Sequence, residues 1–144
     1  MTTSGSALAR DLTAPVRGGR LAVTHWPGEG PPVVALHGIT ANSLAYAALA
    51  DALPGADLYA PDLRGRAGSA GLPGPYGLGA HVDDTVALLD RLGCERAVLV
   101  GHSMGAFVAA LAAATALIGC NRTQEAPATS AEPPPKDEWA RLRA

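Results

Sequence analysis

Short uncharged runs alternate with stretches of helical periodicity along most of this chain. Val33-Val34-Ala35-Leu36 carries no charge and is bounded by prolines upstream and a glycine downstream, the pattern of a strand covered on both faces. Arg96 to Val100 reads the same way, and Ala56 to Ala60 as a third strand of this kind. Between them lie two helical patterns. Leu44 to Leu53 is capped by Asn42 or Ser43 and stopped by Pro54-Gly55. His81 to Leu92 places Val82, Val86, Leu89 and Leu92 on one face and ends at Gly93, with His81 as a solvated residue at its start. An Ala-rich apolar helix, about Met104 to Ile118, follows the last strand. Upstream, Leu12 to Val16 and Arg20 to Trp26 form a hairpin joined at Gly18-Gly19, with the alternation of an edge pair. Pro27 to Pro32 is a connector, and Leu63 to Gly79 is too glycine-rich for a regular element.

The order after the hairpin is strand, helix, strand, helix, strand, helix. That alternation predicts an α/β fold with a mainly parallel sheet and helices on both faces, because right-handed crossovers place each helix on the sheet. The expected organisation is a flexible N-terminus over 1–10, one domain over 11–118 and a Pro-rich, disordered tail over 119–144, where three consecutive prolines favour an extended, solvated chain. Within the tail, Asp137 to Arg143 is a short polar helix at most.

Composition narrows the function. At 144 residues and 48% hydrophobic content one core is expected, and with only 4% aromatic residues it is built from Ala, Leu and Val. A net charge of −2 with both signs scattered gives no basis for nucleic-acid or anionic-membrane partners. Cys94 and Cys120 fit neither a disulfide framework nor a zinc pattern, so free thiols in a reducing cytoplasm are expected, with no metal and no cofactor. The N-terminus has no secretory pattern. The apolar helix from Met104 is short for a membrane span and reads as buried.

One stretch carries chemistry: Val98-Leu99-Val100-Gly101-His102-Ser103-Met104-Gly105-Ala106. A strand runs into Gly-x-Ser-x-Gly and then a helix. Such a turn needs neighbours without side chains, and it leaves the serine hydroxyl exposed beside a helix amino end, where the Met104 N–H faces a developing oxyanion. His37-Gly38 and Asp62 sit, like Ser103, at the carboxyl ends of predicted strands, where open α/β sheets bind ligands.

Three motifs in order resemble the first half of an α/β-hydrolase: His37-Gly38-Ile39-Thr40, Asp62-Leu63-Arg64-Gly65-Arg66-Ala67-Gly68-Ser69 with Ala67 where a glycine is usual, and Gly101-His102-Ser103-Met104-Gly105. They cover about Arg20 to Ile118. The resemblance implies a partial α/β-hydrolase fold and a serine hydrolase acting on an ester or similar acyl bond through an acyl-serine intermediate. Ser103 would be the nucleophile. The backbone N–H groups of Ile39 and Met104 would form the oxyanion hole. His37, Gly38, Gly101, His102 and Gly105 would support the loop and the elbow, and Asp62 and Arg64 would brace the second motif. A serine in the elbow argues against epoxide hydrolases and haloalkane dehalogenases, which use aspartate there. A pocket of small neutral residues suggests a small apolar substrate.

The family places its acid and histidine after the serine. Here His25, His37, His81 and His102 all precede Ser103. Without a base a serine hydroxyl is a poor nucleophile, so the chain reads as truncated or frame-shifted near Ala114 and crippled as an enzyme. Ending there leaves the strand before Ser103 as an exposed edge, open to self-association. The alternatives are a non-catalytic binding protein that keeps the half-fold, and an enzyme completed by a second chain.

Overall fold

The computed structural model describes residues 8–122; the expectations for the first residues of the chain and for the tail after Arg122, the Asp137 to Arg143 helix included, lie outside them. The elements are β1 (Arg10–Val16), β2 (Gly19–Trp26), β3 (Pro32–Leu36), α1 (Ala47–Ala52), β4 (Asp57–Pro61), α2 (Leu78–Leu92), β5 (Val98–Gly101) and α3 (Met104–Arg122). They form the mixed α/β architecture that the alternation predicts. The five strands make one sheet in the order β1-β2-β4-β3-β5.

β3 pairs in parallel with β4 through Val33↔Leu58 and with β5 through Leu36↔Gly101. The hairpin is antiparallel, Leu12 opposite Val23. It is not an edge pair as a whole: β2 also pairs antiparallel with β4, Val23 opposite Pro61. β2 is therefore covered on both faces, with Leu21 and Val23 packed into one core and Trp26 into the other. The first core lies under α2 and α3, where Val34, Leu36, Leu63, Leu88, Val108 and Ala112 meet. The second lies under α1, with Val33, Ala35, Tyr46, Leu58 and Ala60. Burying these side chains, at about 1.5–3 kcal/mol each for the larger ones, is what holds the layers together.

Besides shifts of one or two residues at strand ends, such as β5 starting at Val98 and not Arg96, two segments differ from the sequence pattern. A 3-10 turn, Ser43–Tyr46, takes the first half of the expected Leu44 to Leu53 helix, with the Asn42 side chain accepting from the Leu44 N–H at 3.0 Å. The Leu63 to Gly79 segment is not wholly irregular: it holds a 3-10 turn at Ala67–Ser69, and α2 already starts at Leu78. That earlier start corrects the position of His81. Instead of a solvated cap, it faces inward at 1% exposure. α2 ends at Gly93 in the left-handed conformation, φ 59°.

β5 is the end strand of the sheet and pairs with β3 alone among the described residues. Among the described residues Val98 leaves the β5 edge open as expected, whereas α3, read from its sequence as buried, exposes Phe107 and Leu111 on one face. Among the described residues no helix is long and apolar enough to cross a membrane.

Candidate active site

β3, β4 and β5 run parallel, so their carboxyl ends lie together, and each ends in one of the three motifs. Leu36 leads into His37-Gly38, Pro61 into Asp62, and Gly101 into His102-Ser103. Ser103 is exposed and takes φ 53°, the left-handed region that L side chains rarely adopt. Its neighbours explain how that turn closes. A Cβ on Gly101 would collide with the Gly105 carbonyl and with Ala106, and a Cβ on Gly105 with the Leu36 and His37 carbonyls. The turn is fastened by His102 N–H to the Leu36 carbonyl at 3.1 Å and by Gly105 N–H to the His102 carbonyl at 2.9 Å. Tyr46, from the opposite face, donates its hydroxyl to the same Leu36 carbonyl at 2.6 Å, and burial raises its pKa.

The His37-Gly38-Ile39 loop lies directly against the elbow. A Cβ on Gly38 would sit 3.1 Å from His102 Nδ1 and 3.4 Å from Ser103 Cβ. His37 is fully buried, and both ring nitrogens are committed. Nε2 accepts from the Leu63 N–H at 2.9 Å, which leaves Nδ1 as the protonated nitrogen that donates to the Gly38 carbonyl at 2.7 Å. The Ala41 N–H donates to that carbonyl too, at 3.1 Å. Two donors thus clamp the Gly38–Ile39 peptide. In a trans peptide the N–H points opposite to the C=O, so the clamp also fixes where the Ile39 N–H points. Neither the Ile39 nor the Met104 N–H has an acceptor among the described residues.

The second motif braces this arrangement. Asp62, buried, accepts from the Ser43 N–H at 2.8 Å and the Gly68 N–H at 2.9 Å. Arg64, at 1% exposure, makes a two-pronged ion pair with Asp84 of α2, 2.8 Å from Nε and 2.6 Å from Nη2. It also donates to the carbonyls of Pro73 and Arg17, and the Asp84 partnership raises its pKa. Ala67, where a glycine was expected, sits at φ 39°. Arg66 donates from Nε to the Ile39 carbonyl at 2.8 Å, tying the second motif to the first. Sequence reasoning singled out neither Asp84 nor Arg66. Asp84's position four residues after a buried Ala80 and four before a buried Leu88 was the available signal.

The remaining histidines lie elsewhere. His25 pairs with Asp57 at 2.7 Å and stacks on Tyr59 with ring centroids 4.1 Å apart, at the opposite end of β4 from Asp62. Burial there would raise Asp57, but the His25 hydrogen bond and charge, helped by Tyr59 and the Gly28 N–H, outweigh it and hold the carboxyl below its ordinary range. Among the described residues neither buried ring nitrogen of His81 has a partner at hydrogen-bond geometry. Burial pushes its pKa down, with the nearby Asp84 charge opposing and the Arg66 and Arg64 charges assisting. His102, beside Ser103, is exposed. Among the described residues no group of His, Cys, Asp or Glu could hold a metal ion, and Cys94 is a free thiol whose pKa burial raises.

A mixed sheet whose β3, β4 and β5 run parallel, helices on both faces, a glycine-flanked serine turn after β5 and a histidine-glycine loop against it define the α/β class of hydrolytic folds. The model of the alpha/beta hydrolase fold matches residues 31–137, and the chain belongs to that family. Epoxide hydrolase 2 of Siraitia grosvenorii is 41% identical over 86 residues, 57% of this chain and 27% of that one. Lipase LipV of Mycobacterium tuberculosis is 38% identical over 90 residues, 62% of this chain and 34% of its own length. A crystal structure of a hypothetical protein from Pseudomonas aeruginosa PAO1 superposes with a TM-score of 0.67 at 34% identity, over 73% of this chain and 38% of that one. The chain thus spans about a third of the length of the curated relatives it matches.

Proposed function

We propose that the chain carries the nucleophile half of a serine hydrolase that cleaves an ester or similar acyl bond. Ser103 Oγ attacks the acyl carbon. The oxygen that gains charge accepts from the Ile39 and Met104 N–H groups, the alcohol leaves, and water then hydrolyses the acyl-Ser103 ester. The observation that carries this reading is Ser103 itself: exposed, held at φ 53° at the start of α3, beside the Ile39 and Met104 amides that have no acceptor among the described residues.

The relatives include epoxide hydrolases and a lipase. The serine decides between those chemistries. Opening an epoxide with Ser103 would form an ether, which water does not cleave under these conditions, whereas an acyl-serine ester turns over. Acyl transfer is therefore the chemistry this elbow supports.

A second reading concerns the base. His25 is held by Asp57, His37 is bonded at both nitrogens, His81 is buried on α2, and His102 stands inside the elbow itself, next to Ser103. These placements support the reading in which a segment outside the described residues supplies the acid and histidine, and the non-catalytic binding protein is the alternative.

The test is covalent labelling with an organophosphate ester, read by mass spectrometry, with and without free imidazole as a substitute base. A single adduct on Ser103, accelerated by imidazole and absent in Ser103→Ala, is expected. An adduct elsewhere, or none even with imidazole, refutes the nucleophile assignment.

A further inference from the structure

Arg66 is the charged group nearest the elbow that the acyl-transfer reading leaves without a task. Its Nε donates to the Ile39 carbonyl at 2.8 Å and its Nη1 to the Gly65 carbonyl at 3.3 Å. Both acceptors are neutral, and the Nη2 amino group has no acceptor among the described residues. The charges around it are already compensated. Asp62 is buried against two N–H groups, and Asp84 is taken by Arg64. Neither the His25–Asp57 nor the Arg64–Asp84 pair involves Arg66, whose two hydrogen bonds both go to carbonyls. Its tether places it one residue from Gly38, which packs on Ser103. With about 3.8 Å between consecutive Cα atoms, this tether keeps the guanidinium within roughly 15 Å of the serine. It is only partly exposed and fixed at one nitrogen, so less side-chain freedom is lost when the free edge takes a ligand.

We propose that Arg66 is a specificity-determining residue, which selects acyl substrates carrying a carboxylate at the far end of the acyl chain, such as half-esters of short dicarboxylic acids. The free Nη edge donates to the carboxylate while the ester carbonyl lies between the Ile39 and Met104 amides. This replaces the apolar substrate expected from the small neutral pocket residues. It rests on the acyl-transfer reading for the placement of the ester end.

Binding of monomethyl glutarate and of dimethyl glutarate, followed through the Ile39 and Met104 amide resonances, tests the proposal on the whole chain without requiring turnover. The monoanion is expected to bind about tenfold more tightly than the diester, as a charge-assisted hydrogen bond would give. The preference should weaken with salt, fall to near unity in Arg66→Gln and largely survive in Arg66→Lys, which keeps the charge. Equal binding of the two esters, binding of neither, or a preference that persists in Arg66→Gln overturns it. Since the loop tether could be lost in Arg66→Gln, the ratio in the unmodified chain stands as a test by itself. A chain that labels at Ser103 but shows no anion preference sinks this inference alone. One that prefers the monoanion yet never labels sinks the acyl-transfer reading alone.

Discussion

Replacing His81 by leucine should stabilise the protein, and the gain should grow as the solution is acidified. The ring is 1% exposed, and among the described residues neither nitrogen has a partner at hydrogen-bond geometry. A buried polar group left unpaired costs about 1–3 kcal/mol. Leucine fills a similar volume with no polar atom, and a volume-conserving exchange gives back less than about 1.5 kcal/mol in misfit. A net gain of roughly 1–2 kcal/mol is expected near pH 8, where the imidazole is neutral in both states. At about 3–6 °C per kcal/mol for a body of this size, Tm rises by roughly 3–12 °C. The pH dependence follows from the lowered pKa of the folded state. As pH falls through the unfolded value of about 6.5, the unfolded chain takes up a proton that the buried ring refuses. Wild-type stability therefore drops from pH 6.5 towards the folded pKa, and His81→Leu lacks this part of the slope. Urea unfolding of both chains at about pH 8 and pH 5.5 measures the two quantities, and the difference between chains cancels the other titrating groups. If His81→Leu is less stable at both pH values, or if the gap does not widen on acidification, the ring is satisfied by a partner and the reasoning fails.

Four further outcomes follow from the same structure. Asp84→Ala leaves the Arg64 guanidinium buried and unpaired, so a loss of about 3–5 kcal/mol is expected in chemical denaturation, with partial recovery when Arg64→Met is added. Ser103→Gly should stabilise by about 0.5–1 kcal/mol, because relief of a left-handed L residue exceeds the added unfolded-state entropy, while organophosphate labelling disappears. Ala67→Gly, at φ 39°, should show a similar gain with labelling unchanged. Asp57→Asn should be less stable by about 1–2 kcal/mol at pH 6; since the folded carboxyl is lowered, the difference should vanish as pH falls through about 4 to the folded pKa, which an acid denaturation series reads directly.

The parallel strands and the elbow were legible because their signals are local. Val33 to Leu36 and Val98 to Val100 are uncharged runs ended by turn residues, and the motif residues at their ends are adjacent in sequence. What was not legible is long-range. The buried positions of α2 are Ala80, His81, Val82, Asp84, Thr85 and Leu88. Three of those are polar, so hydrophobic periodicity found Val82 but otherwise pointed to Val86, Leu89 and Leu92, partly buried side chains that pack against the same core. The first turn of α2 was missed for a related reason. Gly77 caps it without a side-chain hydrogen bond, and Gly79 lies inside it, so local propensity argues against the helix that tertiary packing imposes. The Arg64–Asp84 pair spans 20 positions and appears in no local window.

The glycines of the elbow show how a short motif conceals two separate demands. Gly101 and Gly105 are not among the residues with positive φ, whereas Ser103 between them is. Their lack of a side chain serves approach: Gly105 brings the start of α3 against the Leu36 and His37 carbonyls, and Gly101 lets the chain fold back onto Gly105 and Ala106. Strain is concentrated on the one residue whose hydroxyl must be presented. The surrounding contacts, Tyr46 and His102 on Leu36 and Gly105 on His102, hold it there. An alanine at Gly105 would therefore act on the distance between α3 and β3, and one at Gly101 on the distance between β5 and α3. Ser103→Gly acts only on the strain. The two classes of substitution should accordingly move stability in opposite directions, although all three positions belong to the same five-residue turn.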